Sequence, residues 1–269
     1  MKQIKFTKAV ATGNDFVIID NRRAIVDGNI ASFAKKICDR KYSVGGDGLL
    51  LIDNCKKADF RMRIFNSDGS EAQMCGNGSR CAALFAAVKR IAPPDMSIDT
   101  LAGMLAASVK GEMVKVKLTD PKEMRRGFSI NIGKCAYKLD YVNTGVPHAV
   151  HFVNNVEKVD VSHLGSCIRN HPEFLPAGTN ADFVTVEGPS SIKVRTFERG
   201  VEGETLACGT GSVASALMAA GTKNMSSPVT VHTRGGERIK VYFDRSGNRF
   251  SNVYLEGKAK LVFDGVIEL

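Results

Sequence analysis

Cysteine followed directly by Gly-x-Gly-Ser occurs twice in this chain of 269 residues. The first copy runs Glu71-Ala72-Gln73-Met74-Cys75-Gly76-Asn77-Gly78-Ser79, and Ala83-Leu84 follow. The second runs Glu204-Thr205-Leu206-Ala207-Cys208-Gly209-Thr210-Gly211-Ser212, and Ala216-Leu217 follow. Cys75 and Cys208 lie 133 positions apart, close to half the chain. Each precedes a Gly-x-Gly turn that opens an Ala-rich helical pattern. A helix N-terminus presents unpaired N–H groups and a partial positive charge. That charge lowers a thiol's pKa and makes it a usable base or nucleophile. The same N–H groups bind a carboxylate, and the glycines let the backbone approach it. Two such units facing one bound carboxylate suit 1,1-proton transfer. One thiolate removes an α-hydrogen and the other thiol returns a proton to the opposite face. The enolate-like state is then stabilised by the N–H donors of both helices.

The elements that must position these thiols repeat as well. Residues 4–10 and 16–20 read as strands around the turn Thr12-Gly13-Asn14-Asp15, and residues 30–41 have helical spacing. Gly45-Gly46-Asp47-Gly48 leads into the apolar run Leu49–Ile52. Residues 58–65 alternate as a half-buried strand, and Asn66-Ser67-Asp68-Gly69 delivers the first cysteine. A helix over Ser79–Arg90 stops at Ala92-Pro93-Pro94. Asp120-Pro121 reads as a boundary, after which the pattern restarts. Thr144-Gly145 matches Thr12-Gly13, Gly178 matches Gly45, Val194–Phe197 matches Met62–Phe65, and Thr233 with Gly236 matches Thr100 with Gly103. These collinear matches predict an α+β protein of two pseudo-symmetric duplicated domains. Each is a strand-rich sheet or roll wrapped around a central helix, with the active site at the domain interface. The halves expected are 1–120 plus about 261–269, carrying Cys75, and 121–260, carrying Cys208.

Bulk properties narrow the function class. The net charge is +9 and 43% of residues are hydrophobic, with no tryptophan. Lys and Arg are scattered, which reads as solvated surface with a modest pull on anionic metabolites rather than a nucleic-acid stripe. No run of about 18 apolar residues occurs, so no membrane span is expected. The N-terminus lacks an apolar signal core, which points to the cytoplasm. Seven cysteines, an odd number without a C-x-x-C pair, argue for free thiols and against a zinc ribbon. Cys38, Cys55, Cys135 and Cys167 read as small core residues and Cys81 as helix packing. Gly209-Thr210-Gly211-Ser212-Val213-Ala214 also fits a dinucleotide fingerprint. No strand precedes it directly and no acidic residue follows at the required distance, so a nicotinamide site is not expected.

Eight motifs together resemble diaminopimelate epimerase over nearly the whole chain. They are Gly13-Asn14-Asp15-Phe16, Phe65-Asn66-Ser67-Asp68-Gly69-Ser70, Cys75-Gly76-Asn77-Gly78-Ser79-Arg80-Cys81, Pro147-His148, Thr179-Asn180, Glu198-Arg199-Gly200, Gly203-Glu204-Thr205 and Ala207-Cys208-Gly209-Thr210-Gly211. The resemblance implies epimerisation of LL-diaminopimelate to the meso form, for lysine and cell-wall synthesis, with no cofactor and no metal. It implies that Cys75 and Cys208 are the acid/base pair, and that Gly76, Asn77, Gly209 and Thr210 hold the reacting carboxylate. Asn14 and Glu198 would hold the reacting ammonium. Asn66, Asn180 and Arg199 would read the distal amino-acid end, where Arg199 suits a carboxylate through paired donors. His148 would support the site. Many members carry Gly-Asn-Pro-His where this chain has Gly145-Val146-Pro147-His148, and some carry Asp-Gln in place of Asp47-Gly48. Both departures remove a distal-end contact. Members often pair through a C-terminal strand bearing a tyrosine, and Phe263 stands in its place. A homodimer is therefore expected without that hydroxyl.

Two rivals follow from the same residues. One is a racemase of this architecture acting on proline or hydroxyproline. The other is a non-catalytic binder of small anions, which would need the glycines but not both thiols.

Overall fold

The computed structural model describes residues 3–268. Residues 1, 2 and 269, at the ends of the expected first half, lie outside the described residues. Two compact units are present, 3–117 with 257–268 and 118–256. Asp120-Pro121 therefore lies just inside the second unit.

In chain order the first unit contains β1 (Gln3–Ala11), β2 (Asn14–Asp20), α1 (Ile30–Cys38), β3 (Gly48–Asp53), β4 (Phe60–Asn66), β5 (Glu71–Ala72), α2 (Gly76–Val88), β6 (Asp95–Thr100), β7 (Gly103–Lys110) and β8 (Met113–Lys117). The second contains β9 (Lys122–Ile132), β10 (Cys135–Asn143), β11 (Pro147–Phe152), α3 (Val161–Arg169), β12 (Asn180–Gly188), β13 (Ser191–Glu198), β14 (Gly203–Thr205), α4 (Gly209–Lys223), β15 (Val229–His232), β16 (Arg238–Ser246) and all but the last two residues of β17 (Arg249–Lys258). The last strand, β18 (Lys260–Glu268), belongs to the first unit and pairs with β1.

The duplication holds strand for strand. In the first unit β1 pairs β2, β2 runs parallel to β3, β3 pairs β4, and β4 runs parallel to β6. In the second, β10 pairs β11, β11 runs parallel to β12, β12 pairs β13, and β13 runs parallel to β15. β9 beside β10 takes the place that β18 takes beside β1.

Each sheet wraps one helix. Residues Asn77–Ala86 of α2 are buried without interruption, and so are Gly211–Ala220 of α4. A helix with no solvent face must be central, and small residues let strands approach it from every side. α2 touches β1, β2, β7, β8 and β18, while α4 touches β10 through β13, β15 and β16. The outer face of each sheet is covered by a second helix. Val17, Ile19, Leu49, Leu51 and Phe65 form a core with Ala34 and Ile37 of α1. Ala149, Ala181, Phe183 and Phe197 do the same with Val161 and Ile168 of α3. Strands β2 and β3 are thus buried on both faces, which explains why Leu49–Ile52 is apolar without alternation.

The pleat then fixes what faces the central helix, because successive side chains point to opposite faces. In the first unit these positions are Phe16, Leu50 and Ile64. A Cβ on Gly78 of α2 would meet Leu50 Cδ2 at 3.3 Å and Phe16 Cζ at 3.6 Å. In the second unit the corresponding positions are His148, Asp182 and Thr196. The registers give the correspondence directly: Phe16 faces Gly48 as His148 faces Asn180, and Gly48 faces Asn66.

Candidate active site

Both cysteines are helix N-caps. Cys75 has extended backbone (φ −143°, ψ 121°), and its Sγ accepts from the Gly78 N–H at 3.4 Å. Cys208 has φ −108° and ψ 116°, and its Sγ accepts from the Gly211 N–H at 3.4 Å. Ser79 and Ser212 repeat one another too, each donating its hydroxyl back to the cysteine carbonyl, at 2.9 and 2.8 Å. The helices begin at Gly76 and Gly209, so the first starts three residues earlier than the expected Ser79. A sulfur in the N-cap position satisfies one orphan N–H and leaves the first helical amides for an anion.

The first half-site is built on the β1–β2 hairpin. Thr12 and Gly13 both have positive φ (50° and 77°), as a tight two-residue hairpin requires. The turn presents Thr12 and Asn14 to the start of α2. Arg80 is fully buried and donates to Thr12 Oγ1 at 2.7 Å, to Asn77 Oδ1 at 2.8 Å and to the Gly76 carbonyl at 3.2 Å. Thr12 donates to Asn77 Oδ1 at 2.7 Å. A guanidinium fork therefore clamps Asn77, the residue expected on the reacting carboxylate. Asn14 Oδ1 lies 3.8 Å from Cys75 Sγ, and its Nδ2 donates to Asp47 at 2.7 Å. Asp47 in turn accepts from Arg40 at 2.8 Å. Asn66 ends β4 and donates to Ser70 Oγ at 2.9 Å. Gly48, expected to lack a substrate contact, lies against the Phe65 carbonyl, 2.8 Å from where a Cβ would sit. A side chain there would need the strands to separate.

The second half-site sets two carboxylates beside its thiol. His148 is fully buried on β11, and its Nδ1 lies 2.8 Å from Asp182 Oδ2 on β12. Thr196 donates to Asp182 Oδ1 at 2.7 Å. Glu198 ends β13, accepts from Thr205 Oγ1 and hydrogen-bonds the Cys208 thiol. Thr210 Oγ1 lies 3.4 Å from Cys208 Sγ, and Thr144 donates to the Thr210 carbonyl at 3.3 Å. Asn180 donates to the Pro147 carbonyl at 2.8 Å and accepts from the Arg199 N–H at 2.9 Å. It braces the Pro147-His148 and Glu198-Arg199 segments against each other. Arg199 donates to the Ala177 carbonyl at 2.9 Å.

Burial changes one expectation. A helix N-terminus favours thiolate, but Cys208 goes the other way. Desolvation, followed by the Glu198 and Asp182 carboxylates, pushes its thiol well above the usual range, against the bonds from Thr210 and the Gly211 N–H. Loss of solvation penalises the thiolate, and the two carboxylates repel it, which together outweigh the helix terminus. Cys208 therefore rests as a thiol.

Glu198 is raised as well, by burial first, against the bond from Thr205 and the influence of His148. The folded chain then holds this proton more tightly than the unfolded chain, so stability falls as pH rises from 4.5 through the raised folded value. Glu198→Gln removes that loss. The variant is expected to be more stable than the parent at pH 8, with the difference closing toward pH 4. Urea unfolding at both pH values measures it, and a difference that widened toward pH 4 would contradict the assignment.

Sequence reasoning missed Thr12, Asp47, Arg80, Asp182, Thr196 and Thr205. Two of them carried a signal. Asp182 interrupts an apolar strand at a position that faces a helix, and Arg80 is a cation amid the alanines of α2. Among the described residues no cysteine forms a disulfide. Cys38 and Cys81 are buried as expected, but Cys135 is exposed at the start of β10, and Cys55 and Cys167 are half-buried. Those three are not core residues. No helix among the described residues is long and apolar enough to cross a membrane.

The family model described as diaminopimelate epimerase matches residues 6–124 and 140–262, one segment in each half. A diaminopimelate epimerase of Hydrogenobaculum sp. (strain Y04AAS1) is 42% identical over 275 aligned residues, covering 97% of each chain. Among solved structures, a PhzF-family phenazine biosynthesis protein of Bacillus anthracis superposes with a TM-score of 0.76 at 18% identity, covering 100% of both chains. A hydroxyproline epimerase of Agrobacterium vitis superposes at 0.70 with 13% identity, covering 99% of this chain and 92% of the other. At those identities the two structures share the duplicated fold. The sequence relationship goes further: this chain belongs to the diaminopimelate epimerase family.

Proposed function

We propose that the protein is a cofactor-independent isomerase that converts LL-2,6-diaminopimelate to the meso form, in lysine and peptidoglycan precursor synthesis. One observation carries the reading. Two buried helices of duplicated origin each begin with a cysteine N-cap whose Sγ sits 3.4 Å from the N–H three residues on. Binding a carboxylate needs the amides and glycines but not a thiol on each helix. Cys75 and Cys208 act from opposite faces of one α-carbon, one taking the proton and the other returning one. The amides of Gly76, Asn77, Gly209 and Thr210 hold the α-carboxylate and stabilise the enolate-like state. Asn14 and Glu198 hold the α-ammonium. Asn66, Asn180 and Arg199 read the distal end, and His148 acts behind Cys208.

The protein works in the cytoplasm as a homodimer in this proposal. The exposed Val262, Phe263 and Val266 of β18 support pairing through that strand.

A substrate panel tests the reading. LL-diaminopimelate, L-proline and trans-4-hydroxy-L-proline are incubated separately with reduced protein, and the stereoisomers are resolved on a chiral column. Inversion of diaminopimelate alone is expected. Turnover of proline or hydroxyproline in its place would move the assignment to the other branch of the fold.

A further inference from the structure

The two half-sites share a backbone but not an electrostatic design. Behind Cys75 the three residues that face the helix start are Phe16, Leu50 and Ile64, all hydrocarbon. Behind Cys208 the same pleat positions hold His148, Asp182 and Thr196, and the first two are fully buried. Asp182 lies hard against the start of α4. A Cβ on Gly211 would fall 2.4 Å from Asp182 Oδ1, 3.0 Å from Thr196 Oγ1 and 3.2 Å from Cys208 Cβ. Gly211 is also the residue whose N–H bonds the Cys208 sulfur. Burying a carboxylate and an imidazole where the twin half packs with apolar groups costs several kcal/mol of desolvation, of which a hydrogen bond returns only part. His148 Nε2 is buried and has no hydrogen-bond partner among the described residues. Packing alone accounts for none of this, since Phe16 and Leu50 fill the same space in the first half.

We infer that Asp182 is a positioning residue of the Cys208 half-site: it fixes the His148 ring through Nδ1 and supplies a negative charge behind the thiol at the pleat position that Leu50 takes in the first half. The inference rests on the proposal that Cys208 exchanges protons with substrate. A carboxylate on Nδ1 selects the tautomer that carries its proton there and leaves Nε2 bare. The same charge, with that of Glu198, opposes loss of the Cys208 proton. The groups that bear on Cys208 are Glu198 from β13, Asp182 from β12 with His148 beside it on β11, and Thr210 and the Gly211 N–H on its own helix.

Two spectroscopic readouts test this without substrate, so their failure is separable from failure of the proposed reaction. In protein labelled with 15N-histidine, the imidazole shifts of His148 are expected to show a protonated Nδ1 and a bare Nε2. In protein labelled with 13Cβ-cysteine, the Cys208 resonance is assigned by its loss in Cys208→Ser and followed with pH. Asp182→Asn keeps an acceptor for Nδ1–H and removes the charge. It is expected to lower the Cys208 titration midpoint by about one pH unit while preserving the tautomer. Asp182→Leu, which installs the residue of the twin half, is expected to lose the tautomer signature as well. An unchanged midpoint in folded Asp182→Asn would overturn the inference. A proton on Nε2 in the unsubstituted protein would overturn it whether or not either variant folds.

Discussion

Cys75→Ser and Cys208→Ser are each expected to lower the rate of LL-diaminopimelate epimerisation by roughly 10³-fold, within the range set by loss of one general acid or base. Serine is a demanding choice because it preserves the local structure. It is among the preferred N-cap residues, and its oxygen accepts from the same N–H three residues on. The Gly78 and Gly211 bonds survive, the helices keep their starts, and thermal stability should stay near that of the parent. A serine hydroxyl is far less acidic than a thiol, so it neither becomes an anion nor delivers a proton at neutral pH. Substrate affinity, measured by calorimetry, should remain measurable because the carboxylate is held by amides. Near-parental turnover by either variant would remove that cysteine from the mechanism.

Gly211→Ala is expected to cost roughly 10²-fold in kcat/KM, the scale set by displacing a reacting group by about 1 Å. The new Cβ would sit 2.4 Å from Asp182 Oδ1, on a carboxylate already committed to His148 and Thr196. Neither partner has a solvent-facing rotamer to retreat into, since both are buried. The helix start must lift instead, and it carries the Cys208 sulfur and the Thr210 amide with it. Gly188→Ala is the control. Its Cβ would meet nothing nearer than Ser191 Cβ at 4.0 Å, and activity should be retained. Steady-state kinetics on the two variants measures the contrast, and equal activities would mean that Asp182 is free to move.

The duplication was legible because it leaves repeated glycines and cysteines at nearly constant spacing, and the central helices because Ala, Gly and Ser dominate them. The residues placed on the helix starts were legible for the same reason. What lay hidden depended on the pleat. Matching Gly45 to Gly178 is correct for the turns, since both have positive φ (75° and 68°). The second loop then enters its strand one residue sooner, so that Asn180 stands at the position of Gly48 and Asp182 at that of Leu50. That single-residue difference conceals Asp182 as the counterpart of Leu50. The fate of Cys208 was hidden for another reason. A helix N-terminus is visible in sequence, but the desolvation and the two carboxylates that oppose it come from β12 and β13. Arg80 was overlooked because a lone arginine on a helix reads as surface, and only the Thr12 turn folding back on α2 gives it partners.

The most direct measurement is α-hydrogen exchange. Reduced protein is incubated with LL-diaminopimelate in heavy water, with no added cofactor, and the α-proton signal and the meso product are followed by NMR. The expected result is meso-diaminopimelate carrying deuterium at the inverted α-carbon, because the proton returned to the opposite face comes from a thiol equilibrated with solvent. Full retention of the α-proton, with the thiols confirmed free, would contradict proton transfer by the two cysteines on this substrate.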